Sequence, residues 1–300
     1  MATLTQWISA WIDRRSIRLA PQTISGYRRM LRKYVETSTA GALQIGEIKP
    51  EDLICMLSPI VGSGHTRAAQ LVQVLVGAAL RDACRQRVIG WNPMECVDKI
   101  RHHRERTAWL TTEQARRLLE ANRDEPFYVA WLLMLCCGLR RGEMLGLMWD
   151  DVDFAGQVLR IRRQRIRVDG KIIETRPKSD ASIRDIPLDE ILIDELRRFR
   201  AGRYVLEAAG APVTDKTLQR ALEAAIGRAD VPRVTLHGLR HTMASTAASR
   251  GVPIKILQAI MGHAQYSTTA DVYAHVDRRE VCSAAKVIAF STFGARLEIA

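Results

Sequence analysis

Long apolar runs are missing from this sequence. The longest, residues 127–139, falls short of the roughly 20 residues a bilayer-spanning helix needs, so it is expected to be a helix buried at the centre of a domain. The opening stretch, Met1-Ala-Thr-Leu-Thr-Gln-Trp7, does not make a secretion signal. Cysteine is scarce and unpatterned. Cys55, Cys84, Cys96, Cys136, Cys137 and Cys282 form no Cys-x-x-Cys pair and keep no metal-ligand spacing with histidine. Three of them sit in apolar helical patterns, where cysteine acts as a small buried hydrophobe. That usage fits a reduced, cytoplasmic chain. Also lacking are a carboxylate cluster of magnesium-site type, a Gly-x-Gly-x-x-Gly turn and a phosphate-loop lysine motif. Neither a metal nor a nucleotide cofactor is expected, and no internal repeat stands out.

What the sequence has in excess is positive charge. Its 45 Lys and Arg against 33 Asp and Glu leave a net charge of +12, with a pI near 9.8. Such a balance points to a polyanionic partner. The remaining composition, 47% hydrophobic and 26% charged, is that of a globular chain. At 300 residues it exceeds the about 100–200 residues of one domain, so two domains are expected.

Residues 3–98 read as all-helical. Leu4, Trp7, Ile8, Trp11 and Ile12 recur at helical spacing, and Pro21 opens a second helix with the stripe Ile24, Tyr27, Leu31, Tyr34 and Val35. Arg28, Arg29, Arg32 and Lys33 fall on the other side, as a solvated face or as a surface for phosphates. Pro50 starts a third helix. Residues 65–87 make a fourth, with Leu71, Val74, Leu75, Ala78 and Ala79 inward, stopped at Trp91-Asn92-Pro93. The basic, patternless Lys99-Ile-Arg-His-His-Arg-Glu-Arg106 reads as an interdomain linker, with the boundary near residue 104. Thr111-Thr-Glu-Gln114 is a capping box for the next helix.

From residue 150 to 187 the period changes to two. Leu159 and Ile161 alternate with Arg160 and Arg162, Ile166 and Val168 with Arg165 and Arg167, and Asp169-Gly170 marks a hairpin turn. A second turn at residues 178–182 is expected to join strands 172–177 and 183–187, with Lys178 at its tip. Helices return at 189–200, at 216–229 and from 237 onward. The expected fold class is mainly α with a small antiparallel β-sheet.

Four polar clusters then ask for a chemical account. Gly138-Leu-Arg-Arg-Gly-Glu143 follows the most apolar run and sets Arg140 and Glu143 on one helix face. Lys178 lies between Pro177 and Ser179. Thr235-Leu-His-Gly-Leu-Arg-His241 again spaces His237 and Arg240 by three. Residues 261–276 carry His263 and, after an N-cap signal at Ser267 and Thr268, Tyr273 on a short helix. Two arginines, a lysine, two histidines and a tyrosine suit phosphoryl transfer without a metal. Guanidinium forks hold a phosphodiester and stabilise the charge of its transition state. A positioned tyrosine can attack phosphorus, and lysine and histidine can move the protons.

These clusters, Gly-Leu-Arg-x-x-Glu, Pro-Lys-Ser, His-x-Leu-Arg-His, Met-Gly-His and Tyr-x-His in that order, resemble the tyrosine recombinase (phage integrase) family over roughly residues 107–276. The resemblance implies a helical, SAM-like core-binding domain (1–98), a basic linker (99–106), a mixed α/β catalytic domain (107–280) and a tail (281–300) docking on a neighbouring protomer. Arg140 and Arg240 would grip the scissile phosphate, with Glu143 bracing the site. Lys178 would protonate the leaving 5′-oxygen, His237 would assist proton transfer, His263 would hydrogen-bond the phosphate, and Tyr273 would form a 3′-phosphotyrosyl link. That link stores the phosphodiester energy, so no ATP is needed. His241, His275 and Tyr266 are not expected to be catalytic.

The partners implied are double-stranded DNA with core-type sites and further copies of the chain, a dimer per site and a tetramer in the synapse. No membrane is involved, and the setting is the cytoplasm at the nucleoid. With the first helix starting almost at Met1, no arm-binding domain is expected, which favours a simpler recombinase acting only on core-type sites. The rivals are a type IB topoisomerase-like relaxing enzyme and a non-catalytic DNA-binding regulator. In the tail, Ala284, Ala285, Val287, Ile288, Phe290 and Phe293 give more apolar surface than a free tail should show.

Overall fold

The computed structural model describes residues 1–102, 108–177, 180–208, 210–262, 283–284 and 286–288. The chain divides into two units, Met1–Glu105 with Val168–Gly170, and Arg106–Arg167 with Lys171–Ala300.

In the first unit, Thr3 and Gln6 cap each other's backbone amides and so start α1 (Leu4–Arg15). Proline at the first helical position opens α2 (Pro21–Met30), which runs into a π-helical turn (Leu31–Val35). A short α3 (Thr39–Ala42) leads to α4 (Pro50–Gly62) and the long α5 (Thr66–Arg85), and Asn92 caps a 3₁₀ turn, Pro93–Cys96. Leu4, Ile8, Ile12, Leu53, Leu75 and Leu80 are fully buried in this unit's core.

The inward stripe of α5 differs from the expectation. Leu71 and Val74 are exposed, and Ala69, Val72, Leu75, Val76, Ala79, Leu80 and Ala83 face inward. The buried face mixes Val72, Leu75, Val76 and Leu80 with small residues that let neighbours approach, as Gly77 does for Met94. Small residues carry little hydrophobic signal, so the larger Leu71 and Val74 drew the stripe toward themselves. Among the cysteines, Cys136 and Cys137 are buried, Cys84 is half-buried, and Cys55 and Cys96 are exposed.

The second unit is organised around α7 (Tyr128–Cys136), all nine of whose residues are buried. It packs against α6 (Thr112–Glu120), α8 (Arg141–Gly146) and α11 (Leu236–Ser249). A helix apolar on every side has no solvent face to keep, so it can only be a core helix. A 3₁₀ turn, Trp149–Asp151, leads into the strands β1 (Val152–Asp153), β2 (Val158–Ile161), β3 (Gln164–Val168), β4 (Lys171–Thr175) and β5 (Arg184–Pro187). β3 and β4 pair across Asp169 and Gly170, both at positive φ (47° and 82°), as an Asp-Gly hairpin requires.

The other strands form an antiparallel sheet of order β1-β2-β5, with Leu159 opposite Ile186 and Ile161 opposite Arg184. This corrects the second hairpin. β4 and β5 are not partners, because β5 pairs with β2. Residues 178–182 therefore connect two sheets, and their described part, Asp180–Ser182, is a 3₁₀ turn. Then come α9 (Glu190–Arg198), a two-residue strand pair β6 (Glu207–Ala208) and β7 (Ala211–Pro212), α10 (Asp215–Ala229), α11, and α12 (Ile254–Met261) behind Pro253.

In the tail, Ala284 and Ile288 are buried in this same unit's core. Val287, beside them, is 38% exposed. Among the described residues no helix is long and apolar enough to cross a membrane.

Candidate active site

The site grows out of the end of α7. The chain leaves the helix through Gly138 at φ 61°, a left-handed turn in which any Cβ would strike the Met243 side chain. Two residues later Arg140, in extended conformation, is the N-cap of α8. Its amide donates to Glu143 Oε2 at 2.9 Å, and its Nη1 donates to Glu143 Oε1 at 2.6 Å. Glu143 is 1% exposed, so this is no surface ion pair.

A second arginine that the sequence reading passed over completes the carboxylate's shell. Arg184, on the core side of β5, donates from Nη1 to Oε1 (3.1 Å) and from Nη2 to Oε2 (3.0 Å). Burial pushes the Glu143 carboxyl up, but the hydrogen bonds and charge of Arg184, with the Arg140 amide and charge, outweigh it and hold the pKa below 4.5. Glu143 therefore stays ionised at neutral pH.

Three arginines then converge on one helix end. The last carbonyls of an α-helix have no partner within the helix and carry the negative end of its dipole. At the end of α12, Ile260 O accepts from Arg184 Nε (2.6 Å), Met261 O from Arg240 Nη2 (2.6 Å), and Gly262 O from Arg140 Nη2. Gly262 ends the helix at φ 62°, where a Cβ would lie 2.9 Å from Ala181 O and 3.0 Å from Arg184 Nη1. Arg240 also donates to Gly138 O, so the turns ending α7 and α12 share one guanidinium. Ser182 joins through its hydroxyl to Arg140 Nη1 (3.4 Å) and its carbonyl to Arg184 Nη1 (3.0 Å).

Arg240 is 1% exposed. Burial first, then the charge of Arg140, pushes its pKa down to about 9, which leaves it charged at neutral pH. Two such cations held near each other make a seat for an anion, because an arriving phosphate relieves their repulsion. His237 stands in the first turn of α11, after the Thr235 cap, with its ring edge-on to His241 at 4.6 Å between centroids. Its side chain reaches solvent, yet partial desolvation, then the charges of His241, Arg240 and Arg140, lower its pKa below 6.5. It is a neutral imidazole at pH 7, able to accept a proton or donate one.

The structure thus brings Arg140, Glu143, Arg240 and His237 together, as their spacing suggested. Lys178, His263 and Tyr273 lie outside the described residues, as do Tyr266 and His275. The described chain reaches Pro177 on one side and Gly262 on the other. Arg28, Arg29, Arg32 and Lys33 belong to the first unit, where they are exposed on α2 and its π-turn. Arg28 pairs with Asp13 at 3.0 Å, and Lys33 lies over the Tyr34 ring. Sequence reasoning missed Arg184, Ser182 and the two glycine turns. A signal existed for the first: Arg184 shares strand parity with the buried Ile186.

Comparison with known proteins agrees with this picture. The model of the phage integrase family matches residues 108–280, and that of the phage integrase central domain matches residues 4–99. A tyrosine recombinase XerC-like protein of Caldanaerobacter subterraneus subsp. tengcongensis is 30% identical over 207 residues, 60% of this chain and 53% of that protein. A putative prophage phiRv2 integrase of Mycobacterium tuberculosis is 27% identical over 279 residues, 87% of this chain and 72% of that protein. The chain spans about half the length of the first curated relatives it matches.

Among solved structures, the Tn1549 transposon integrase in complex with a circular intermediate DNA has a TM-score of 0.78 at 23% identity, covering 95% of this chain and 99% of that one. A lambda integrase dimer bound to a core site has a TM-score of 0.68 at 17% identity, covering 88% of this chain and 96% of that one.

Proposed function

From the premise that the chain belongs to the phage integrase family, we propose that it is a site-specific DNA recombinase that cuts and rejoins strands through a covalent tyrosyl intermediate. The observation that carries this reading is the Arg140–Arg240 pair. Both guanidinium groups are fixed on successive carbonyls of one helix end, with an ionised Glu143 behind them.

In the proposed reaction the scissile phosphate sits between Arg140 and Arg240, which neutralise the charge that builds on its oxygens. The Tyr273 hydroxyl attacks phosphorus, forming the P–O bond to tyrosine and breaking the bond to the 5′-oxygen. Lys178 gives the departing 5′-oxygen a proton, His237 helps to take the tyrosine's, and His263 hydrogen-bonds the phosphate. A 5′-hydroxyl from another strand then attacks the phosphotyrosine and restores the phosphodiester. No energy source enters, because one ester is exchanged for another.

The substrate is double-stranded DNA with core-type sites. The first unit is the core-binding domain, with Arg28, Arg29, Arg32 and Lys33 toward phosphates, and residues 107–280 are the catalytic domain. Two copies act per site and four in the synapse, in the cytoplasm at the nucleoid. The similarity to a recombinase, an integrase and DNA-bound integrase complexes supports the reading.

The test is a trapping selection. The protein is mixed with a pool of nicked duplexes of randomised sequence, so that cleavage releases a short strand and strands the adduct. The expected result is a protein–DNA adduct that survives denaturant, is lost in Tyr273→Phe, and carries one enriched sequence. An adduct that persists in Tyr273→Phe overturns the assignment of the nucleophile. Binding without any adduct favours the DNA-binding regulator. Relaxation of supercoiled DNA without exchange of partners favours the topoisomerase-like activity.

A further inference from the structure

We propose that Arg184 is a positioning residue for this reaction: it ties Glu143 to the last turn of α12 and thereby sets the aim of both Arg140 and Arg240. The inference rests on the recombinase reading of the site and deepens it.

A guanidinium has five N–H donors in a rigid fork. Arg184 directs four of them to protein acceptors: Nε to Ile260 O, Nη1 to Glu143 Oε1 and to Ser182 O, and Nη2 to Glu143 Oε2. Its side chain is 6% exposed. Arg240, equally buried, has two protein acceptors among the described residues, the carbonyls of Gly138 and Met261. Donor use therefore separates the two arginines. Arg240 keeps donors for a phosphate, whereas Arg184 is almost wholly committed to the protein.

The elements it joins are the ones that orient the reacting pair. Glu143 fixes the Arg140 guanidinium and amide, and α12 supplies the carbonyls that hold Arg140 and Arg240. Without Arg184 the end of α12 is held by the very arginines it has to place. Lysine cannot substitute fully, since one ammonium cannot reach both Glu143 oxygens and the Ile260 carbonyl in the planar arrangement of the fork.

The experiment uses the full chain and the duplex recovered from the trapping selection, with Arg184→Gln, Arg184→Lys, Glu143→Gln and the double variant Arg184→Gln/Glu143→Gln. Single-turnover cleavage, DNA affinity and melting temperature are measured for each. Arg184→Gln and Glu143→Gln are each expected to slow cleavage by about 10²-fold, the scale of a catalytic group displaced by an ångström. DNA affinity is expected to stay unchanged, and Arg184→Lys to fall between wild type and Arg184→Gln. Because the two residues act as one unit, the double variant is expected to lose about 10²-fold rather than 10⁴-fold.

Wild-type cleavage by Arg184→Gln or Arg184→Lys, or a double loss equal to the product of the singles, overturns the proposal. So does a loss of cleavage that merely follows loss of affinity and melting temperature. If Arg184→Gln does not fold, Arg184→Lys decides by the same criteria. Absence of any wild-type adduct strikes the recombinase reading itself; a wild-type adduct with indifferent variants strikes only the role of Arg184.

Discussion

A buried guanidinium is strongly destabilising unless its donors are met, and removing one partner of a buried ion pair typically costs about 3–5 kcal/mol. Backbone carbonyls and Glu143 meet that demand for Arg184, and the carbonyls of Gly138 and Met261 meet part of it for Arg240. His237 has a different problem, since partial desolvation, then the neighbouring His241, Arg240 and Arg140, disfavour its charged form. Its imidazole is therefore expected to titrate below 6.5, and His241→Ala to move the midpoint upward. Side-chain NMR reads both directly; an unmoved midpoint in the variant would leave desolvation and the arginines as the whole cause. The sign for stability follows. With the folded-state value depressed, the unfolded chain takes up the proton first as pH falls. This contribution is thus present above pH 6.5 and is lost as pH drops toward the folded-state value. For Lys178→Ala, cleavage is expected to slow and to recover with a 5′-phosphorothiolate, whose sulfur leaves without a proton; lack of recovery would argue against Lys178 as the acid. Arg140, Glu143, His237 and Arg240 could be read from spacing because their motifs are local in sequence. Arg184 offered only its strand parity, which signals burial but not its partners, 41 and 76 residues away.

At the scale of elements, the two glycine turns carry more than their size suggests. Gly262 combines a positive φ with close approach to Ala181 O and Arg184 Nη1. Gly262→Ala is therefore expected to cost at least the roughly 1–2 kcal/mol of a left-handed L-residue and to slow cleavage as well. Urea denaturation and single-turnover kinetics measure the two effects; a variant as stable and as fast as wild type would show that the turn relaxes without consequence. Most elements were legible in the sequence because their signals are short-range. The capping box at Thr111, the proline starts at Pro21 and Pro50, and the Asp-Gly hairpin all sit where the residues placed them. Pairing partners were less legible. Nothing in residues 172–187 says that β5 skips β4 to join β2, since that choice is made by burying Ile186 against Leu159. The face of α5 was misjudged for a related reason, since four of its inward residues, Ala69, Gly77, Ala79 and Ala83, carry little hydrophobic signal.

For the whole molecule, the net charge of +12 governs how the proposed DNA binding should respond to salt. Binding is expected to weaken steeply with salt, because each phosphate contact releases counterions. Replacing Arg29, Arg32 and Lys33 by alanine should lower the steepness of log K against log salt by about 1 per contact removed. An unchanged slope would remove that face from the interface. Arg28 is expected to count for less, being already paired with Asp13. Truncation after residue 288 is expected to leave cleavage intact and impair synapsis, since Ala284 and Ile288 stay to fill the core. Full recombination by the truncated chain would sink the docking role of the tail. The fold class was readable from periodicity, whereas the burial of Ala284 and Ile288 in their own unit's core depends on packing that composition does not encode. The end of α12 has one last consequence, which concerns safety. An enzyme that cuts DNA, as proposed for this chain, is most hazardous when partly damaged. Here the opening of a single short helix would take one anchor from each of Arg140, Arg184 and Arg240 at the same time. On the proposed chemistry, a heated, aged or poorly folded copy falls silent before it becomes indiscriminate.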